Sequence, residues 1–330
     1  MLKTLARLVA ATCFVGSALA GASAQDKFIF GTNWLPDAER GGFYQAEAAG
    51  IYKRNGLEVT VQAGGPQLNN PQLLAAGKID GVMVGSAIEA LNYAKEGVPV
   101  VAVAAVYQKN PQVLLAHKSS GIKSLEDMKG KPIMISALAR NGYWKWLKSR
   151  YGFTDDQIRP YTFNLGVFVS NPQAIQQGFV TYEPSQVAKA GVDPVYFLLA
   201  DYGFDDFGGL ILVRRETLET RRDVVRRFIL SVSEGWRDFL YGDAAPGIAL
   251  IKGQNQQLTD EIIANSMKEM RDRELIAGGE GRTGIGFMTE ARWSKLYDTM
   301  SASGIVDSGD YWKKAFDTSL LGSGLAVAPK

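Results

Sequence analysis

Short apolar runs with strand character alternate with helix-like segments over the first two thirds of the chain. Leu57 to Val61 alternates between apolar and polar residues, as a half-buried strand does, and Val98 to Val106 is almost wholly apolar, which is typical of a strand buried on both faces. Further strand-like runs lie at 27–31, 79–84, 113–116 and 132–136, and helix-like segments lie at 39–50, 71–77 and 142–150. This order predicts an α/β fold in which helices cover parallel or mixed sheets.

A short internal repeat indicates that the chain contains two similar units. Pro71 to Gly77 and Pro172 to Gly178 share the pattern PQxxxxG, and the two segments start 101 residues apart. Each precedes a strand-like run, which is 179–182 in the second unit. The repeat therefore predicts two lobes built on the same α/β plan.

The C-terminal third has the pattern of a helical tail. Apolar residues recur at spacings of three and four between about 216 and 241, which predicts one long amphipathic helix. More helices are predicted near 259–274, 289–303 and 310–317. We expect this tail to pack back onto one lobe. No linker rich in Ser, Gly or Pro separates the lobes, so we expect crossing strands to join them.

The N-terminus has the pattern of a secretory signal peptide. Lys3 and Arg7 precede a short apolar stretch from Leu8 to Ala20, and the small residues 22–24 form an A-x-A cleavage signal. The apolar stretch is shorter than the ~20 residues that a membrane-spanning helix needs. We therefore expect residues 1–24 to be removed and the mature protein to be exported.

Charge and composition exclude several classes of function. Residues 1–24 carry two basic and no acidic side chains, so the remainder of the 330-residue chain has 34 of each sign. This balance gives no indication of nucleic-acid binding, which usually brings a basic excess. A single Cys and a single His exclude a disulfide framework and a zinc site built from several such ligands.

Other candidate chemistry is weak. The spacing of Gly279, Gly281 and Gly284 matches a dinucleotide motif, but it follows a helical pattern rather than a strand and is interpreted as a surface loop. Acid pairs such as Asp205–Asp206 are interpreted as solvated or capping residues. We expect no metal and no cofactor.

Aromatic residues cluster where predicted strands end. In open α/β sheets, ligands bind beyond the carboxyl ends of the strands, so aromatic side chains at these exits favour a cleft that stacks a planar ligand. The residues concerned are Trp34, Phe43, Tyr44, Tyr107, Tyr143, Trp144, Trp146, Tyr182 and Tyr202. We expect about a third of them to touch the ligand and the others to lie in the core.

Several motifs together resemble one family. They are Asn33-Trp34-x-Pro36, Gly42-Phe43-Tyr44, Gly50-x-Tyr52, Gly56-Leu57-Glu58-Val59, Leu74 to Asp80, Gly97 to Val100, Ser124 to Lys131 and Glu183-Pro184. In this order they resemble the SsuA/THI5-like (NMT1-like) family. The resemblance covers essentially all of residues 26–320.

The resemblance implies a two-lobed periplasmic binding protein of type II fold, with mixed sheets flanked by helices and a ligand cleft between the lobes. We place the first lobe at 25–112 plus 212–330 and the second at 113–211. The implied function is that of the monomeric solute-binding component of an ABC importer. Its partners would be a small-molecule ligand, the membrane permease and the ATPase.

The start Asn33-Trp34-x-Pro36 is most similar to the branch that binds thiamine-pyrimidine precursors, so the expected ligand is a small planar heterocycle. Trp34 and Tyr182 would stack its ring, and Glu183 would accept hydrogen bonds from ring N–H or amino groups. Predicted polar contacts and further site residues are Asn33, Ser86, Asn141, Glu39, Arg40, Tyr44 and Tyr107.

Two departures from the family leave alternatives open. The fungal relatives of this branch are synthases that carry a His where this chain has Arg40, and a Cys-rich run where it has 199–206. Both departures argue against a synthase-like enzyme, which remains the alternative from another class. Arg40 leaves open a second ligand class, namely sulfonate, nitrate or aromatic carboxylate.

We predict a mature N-terminus at Gln25 and a periplasmic location. The A-x-A signal directs cleavage after Ala24, and intact-mass measurement of the periplasmic protein would report the new terminus. A full-length chain that keeps Met1, or a protein found only in the cytoplasm, would contradict this prediction.

Overall fold

Two five-stranded mixed sheets form the framework of the protein, which is described by a computed structural model over residues 24–65, 68–277, 284–322, 324–327 and 329. The strands are β1 (Asp26–Gly31), β2 (Leu57–Gln62), β3 (Gly81–Val84), β4 (Val100–Tyr107), β5 (Gln112–His117), β6 (Ile133–Ile135), β7 (Ile158–Pro160), β8 (Ile175–Phe179), β9 (Pro194–Leu198) and β10 (Gly208–Arg214).

Helices flank both sheets. They are α1 (Gly41–Ala48), α2 (Ile51–Arg54), α3 (Asn70–Ala75), α4 (Ala87–Lys95), α5 (Ala137–Asn141), α6 (Tyr143–Tyr151), α7 (Gly166–Ser170), α8 (Glu183–Lys189), α9 (Arg215–Thr220), α10 (Arg222–Tyr241), α11 (Ala245–Gln254), α12 (Asp260–Asp272) and α13 (Glu290–Ala302). Short 3-10 helices lie at Ala38–Arg40, Lys118–Ser120, Glu126–Met128, Asp155–Gln157, Leu199–Tyr202 and Asp310–Lys314.

The two sheets have the same plan. The first has the order β2-β1-β3-β10-β4, and the second has the order β7-β6-β8-β5-β9. In the first, β1 pairs in parallel with β2 and β3, whereas β10 is antiparallel to β3 and β4. In the second, β6 pairs in parallel with β7 and β8, whereas β5 is antiparallel to β8 and β9. The predicted two-lobed α/β fold with mixed sheets is confirmed.

The chain crosses between the sheets twice, through 108–111 and 199–207. The predicted lobe boundary at 211/212 falls inside β10, whose residues pair with the first sheet from Gly208 to Arg214. The assignment of residues to lobes stays a prediction. The strand pairing favours placing the whole of β10 in the first lobe, so that the second crossing ends before Gly208.

The apolar run at 98–106 becomes β4, which is buried along its whole length although it lies at the edge of the first sheet. The C-terminal tail covers that edge. The backbone of Ala102 bonds to Ala315 and Asp317, and the amide of Ala105 donates to the carbonyl of Gly286. An edge strand paired in this way does not offer free backbone groups to another chain.

Three predicted elements differ in the structure. The helix expected over 216–241 is broken at Arg221, whose side chain bonds to Asp80 and to the carbonyl of Lys27. The segment expected as a helix before a strand at 179–182 is itself a strand, β8. The helix expected at 310–317 is a 3-10 helix over Asp310–Lys314.

Two sequence predictions lie on residues that are not described. The signal peptide falls almost entirely on 1–23, and most of the glycine motif at 279–284 falls on 278–283. In the described part of the chain, no helix combines the length and apolar character needed to cross a membrane.

Helices α1 and α10 pack very closely on the core of the first sheet. Phe228 of α10 stacks on Phe28 of β1, with ring centroids 4.4 Å apart. On the same helix, a Cβ atom added to Gly235 would lie 2.3 Å from the carbonyl oxygen of Gly42 in α1. Contact at this distance between two helix backbones requires glycine at position 235.

We therefore predict that Gly235→Ala lowers the free energy of unfolding by about 1–3 kcal/mol, because the new methyl group forces the two helices apart. Gly253→Ala is the matched control, since Gly253 lies in α11 and a Cβ there meets nothing within 4 Å. This control should stabilise the protein by up to about 1 kcal/mol. Urea unfolding measures both, and equal effects of the two substitutions would contradict the prediction.

Candidate functional site

A cavity of about 990 Å³ lies between the two sheets. Several of its lining residues directly follow strands: Thr32 to Trp34 after β1, Gly85 and Ser86 after β3, and Ser136 after β6. The carboxyl ends of parallel strands meet at one edge of a sheet, so these short exits converge. The crossings between the sheets then bring both edges to the same space.

Arg40 is the basic residue of the cavity wall, and it is held by acidic partners. Its Nη1 atom lies 2.8 Å from Asp37 Oδ2 and 2.7 Å from Glu39 Oε2, and its Nε donates to Asn33 Oδ1 at 3.0 Å. Burial opposes the charge of Arg40, but the two carboxylates outweigh burial and raise its pKa. Burial also raises the pKa of Asp37 to about 6. The guanidinium charge is thus already shared between two carboxylates.

Glu39 also connects the two halves of the cavity. Its carboxylate accepts a hydrogen bond from the hydroxyl of Thr181, which follows β8 in the second sheet. The hydroxyl of Tyr107, at the end of β4, donates to the carbonyl oxygen of Glu39 at 3.0 Å. Glu39 is therefore anchored through both its backbone and its side chain.

Glu183 supplies the acidic group of the second wall. Only 8% of this residue is exposed, and its carboxylate accepts hydrogen bonds from the hydroxyl of Tyr161 at 3.0 Å and the amide of Phe179 at 2.7 Å. Burial raises the pKa of Glu183 to about 7, although these hydrogen bonds oppose the shift. Near neutral pH this group is available as both donor and acceptor.

Asp206 is a third buried acid on the cavity wall, and sequence reasoning missed it. It is 1% exposed and accepts hydrogen bonds from Ser86 Oγ at 2.7 Å, Asn110 Nδ2 at 3.0 Å and the amide of Ala87 at 3.1 Å. Burial raises its pKa to about 7. The interpretation of Asp205–Asp206 as solvated is wrong for Asp206, although Asp206 does bond to the first backbone amide of α4. The available signal was the apolar neighbours Phe204 and Phe207 on either side of the pair.

The aromatic wall differs from the predicted one. The ring of Trp34 lies against Phe163, with centroids 5.9 Å apart and an interplanar angle of 31°. Phe163 in turn lies 4.9 Å from the ring of Tyr161. Neither Tyr161 nor Phe163 was predicted from the sequence, because the short strand β7 that precedes them carries no clear apolar pattern. Tyr182 lines the cavity and is exposed to solvent.

The structure brings eight of the ten predicted site residues to the cavity wall: Asn33, Trp34, Glu39, Arg40, Ser86, Asn141, Tyr182 and Glu183. The other two, Tyr44 and Tyr107, do not line the cavity: they lie in the core with 0% and 2% exposure, which corrects the prediction for them. Tyr107 packs edge-on against Trp236, and burial raises the pKa of Tyr44 to about 12. Both rings point into the core. A position near the end of a strand does not show whether a side chain points into the core or into the cavity.

His117 lies outside the cavity. It is buried at the end of β5, its Nε2 atom is 2.7 Å from the carbonyl oxygen of Phe168, and its ring packs on the ring of Phe168. Over the described ranges, no group of three or more His, Cys, Asp or Glu side chains is arranged to hold a metal ion.

Comparison with known proteins identifies the family. The model of the NMT1/THI5-like family matches residues 37–242, which is more than half of the chain. The chain belongs to this family. The segment matched in this NMT1/THI5-like chain contains the described lining residues from Asp37 to Asp206.

Two curated relatives of this NMT1/THI5-like protein are of different kinds. A Haemophilus influenzae protein named as a thiamine biosynthesis protein is 24% identical over 202 residues, which is 60% of this chain and 64% of that relative. The chain thus spans less than two thirds of that relative's length. Riboflavin-binding protein RibY of Chloroflexus aurantiacus is 23% identical over 307 residues, with 88% of this chain and 85% of RibY covered.

Solved structures show that the fold is shared widely. The periplasmic aliphatic sulphonate-binding protein SsuA of Escherichia coli matches with a TM-score of 0.68 at 16% identity, over 92% of this chain and 97% of SsuA. The desulfurization enzyme DSZB matches with a TM-score of 0.52 at 11% identity, over 90% of this chain and 98% of the enzyme. At these identities the likeness is one of fold alone.

We predict that Glu183 makes the protein less stable as the pH rises from about 4.5 to about 7. The unfolded carboxyl ionises near pH 4.5 and the folded one near pH 7, so the folded state binds more protons in this window and loses stability through it. Glu183→Gln mimics the protonated form, so its stability relative to the wild type should rise by on the order of 2–3 kcal/mol across the window.

Urea unfolding at pH 4.5, 6 and 7.5 measures this difference. The control is Glu58→Gln, on an exposed side chain of β2. Burial of Asp206 and Asp37 keeps part of the pH dependence in both variants. A Glu183→Gln protein with the same pH slope as the wild type would contradict the prediction.

Proposed function

We propose that this chain is the periplasmic solute-binding component of an ABC importer and captures a planar heterocycle, pyrimidine-like in its hydrogen-bonding groups. Membership of the NMT1/THI5-like family and the fold shared with SsuA support the transport class. The protein would act as a monomer and deliver its ligand to a permease and ATPase at the inner membrane. Closure of two lobes around the ligand fits a cavity whose walls come from both sheets.

The charge of the cavity carries the proposal on the ligand. Among the described lining residues, Arg40 is the one basic residue and five are acidic. The acidic residues are Asp37, Glu39, Glu89, Glu183 and Asp206. A wall of this kind favours a ligand that donates hydrogen bonds and carries no negative charge. Amino and ring N–H groups of a heterocycle meet this requirement, and Trp34 offers a ring face for stacking.

The same charges weaken the alternative of a sulfonate, nitrate or aromatic carboxylate. An anion needs a cationic side chain that is free to bind it, whereas Arg40 already contacts Asp37, Glu39 and Asn33. An anion near Arg40 would compete with Asp37 and Glu39 for the same guanidinium charge. Weakening either ion pair would leave a poorly solvated carboxylate without its cationic partner, which is costly.

The size of the cavity leaves room for more than one ring. A volume of about 990 Å³ lies at the upper end of the range for small-molecule sites. The proposed ligand class therefore extends from a substituted pyrimidine to a fused heterocycle of flavin size, the class that the name of the relative RibY indicates for that protein.

The proposal is for binding without catalysis. The synthase-like alternative relied on a His and a Cys-rich run in the fungal relatives, and the described cavity wall contains neither residue type. Because DSZB has a similar fold and is an enzyme, the ligand recovered after incubation should be checked for chemical change. An unchanged ligand is the expected result.

We predict that neutral, donor-rich heterocycles raise the melting temperature and that anions do not. The protein, freed of bound solute by unfolding and refolding, would be tested with 4-aminopyrimidine, riboflavin, MOPS, nitrate and benzoate. A ligand at 100 times its Kd stabilises the folded state by about 2.7 kcal/mol, which gives a clear shift. A shift with MOPS, nitrate or benzoate and none with either heterocycle would overturn the proposed ligand class.

Variants at the cavity wall serve as controls for that screen. Glu183→Ala removes a buried hydrogen-bonding carboxyl and should weaken binding by about 1.5–3 kcal/mol, more than Tyr182→Phe, which keeps its ring. Trp34→Ala should weaken binding by about 0.5–1.5 kcal/mol and leave the melting temperature of the ligand-free protein nearly unchanged. Calorimetry on the three variants would show a misplaced site if Glu183→Ala binds normally and Trp34→Ala unfolds.

A further inference from the structure

Phe163 has an unusual backbone conformation for its residue type. Its φ angle is 59°, in the left-handed region that favours glycine, and among the described non-glycine residues only Glu274 shares a positive φ. A bulky residue is strained there, and such strain persists mainly where function requires it. The residue is also 65% exposed, so burial of Phe163 in a core does not explain the conformation.

The strained conformation places the ring at the cavity. Phe163 follows β7 of the second sheet, and its ring lies 5.9 Å from that of Trp34, which follows β1 of the first sheet. The ring of Phe163 also lies 4.9 Å from that of Tyr161, whose hydroxyl donates to Glu183. Phe163 thus connects the stacking residue of one wall with the acidic group of the other.

Phe163 is part of an apolar rim that lines the cavity and faces solvent. The exposed large apolar residues of this rim are Leu35, Leu68, Phe163 and Tyr182, which come from both sides of the cleft. Apolar side chains that line a cavity and are left exposed to water mark a surface that becomes covered by a ligand or partner. At the mouth of a concave cavity, the ligand held in that cavity is in position to cover them.

We infer that Phe163 is a specificity-determining residue that covers one face of the bound ring while Trp34 covers the other; this inference rests on the proposed function. A ring held between two others requires their planes to be about 7 Å apart, twice the usual contact distance. The present separation of 5.9 Å between centroids is slightly smaller. A small outward movement of the exposed Phe163 ring would widen this gap enough to hold the ligand ring between the two. Phe163, rather than Tyr182, is then the partner of Trp34.

The test compares Phe163→Asn with two controls. Asn removes the aromatic ring and tolerates a positive φ better than other non-glycine residues, so it separates the loss of the ring from the backbone requirement. Phe163→Tyr keeps the ring and should rescue binding. Val167→Ala changes an exposed apolar residue of the nearby helix α7 that does not line the cavity.

Calorimetry with riboflavin and with 4-aminopyrimidine measures the effect. We expect Phe163→Asn to bind the heterocycle about three- to tenfold more weakly, with Phe163→Tyr and Val167→Ala within twofold of the wild type. The melting temperature of ligand-free Phe163→Asn should not fall, because the strain is relieved. Unchanged binding by Phe163→Asn, or a lower melting temperature without a selective loss of binding, would overturn the inference.

Failure of the proposed function is distinguishable from failure of the inference. A wild-type protein that binds neither heterocycle overturns the proposed function, and the inference with it. A wild-type protein that binds one of them, together with a Phe163→Asn variant that binds it equally well, overturns the inference alone.

Discussion

The cavity depends on the two crossings of the chain between the sheets, after which β5 joins the second sheet and β10 joins the first. Each sheet receives an antiparallel strand from beyond a crossing, so the edges that carry the exits of β1, β3 and β6 are held facing each other. Arg292 of α13 ties the crossings together, because it donates to Gln108 in one and to Asp205 in the other while lying 3.9 Å above the ring of Phe207. The helical tail thereby sets the geometry of a cleft to which α13 itself contributes no wall.

The buried acids have opposite effects on stability and on binding. Burial of Glu183 and Asp206 penalises their charged forms, and the surrounding donors only partly offset that cost. Without a ligand, a neutral or partly protonated wall is the less costly state. A ligand with N–H donors would add hydrogen bonds to these acids, so the free energy lost by burying them would be partly recovered on binding.

Family and fold leave the ligand open, because the fold is shared by proteins whose names indicate sulfonate binding, riboflavin binding and desulfurization. What distinguishes members of such a fold is the set of side chains on the short segments after the strands. In this chain those segments hold Arg40 between two carboxylates and set Trp34 against Phe163. The charges and aromatic faces of the side chains at these positions are therefore the best indication of the ligand class.

Local pattern was sufficient for much of the framework. The apolar run before Tyr107 is a fully buried strand, and the alternation of strands and helices led to two mixed sheets. Motifs after β1 and at the start of α8 led to Trp34, Arg40 and Glu183 at the cavity. The predictions of the framework succeed because strand burial and strand ends depend on neighbours in sequence. The binding roles of these three residues stay predictions.

Other features depended on contacts between distant residues, and only the tertiary structure decided them. Tyr44 and Tyr107 were predicted from positions near strand exits, as the cavity residues were, yet both rings are buried in the core, where Tyr107 packs against Trp236 of α10. Asp206 becomes a buried acid because Ser86 and Asn110 reach it from other segments. The segment 175–179 is a strand because it pairs with β5 on one side and β6 on the other, and its polar pair Gln176–Gln177 is buried there. Sequence determined which side chains were available at each exit. The packing of distant elements determined which of them face the ligand, since a side chain's direction is set by the partners that bury it.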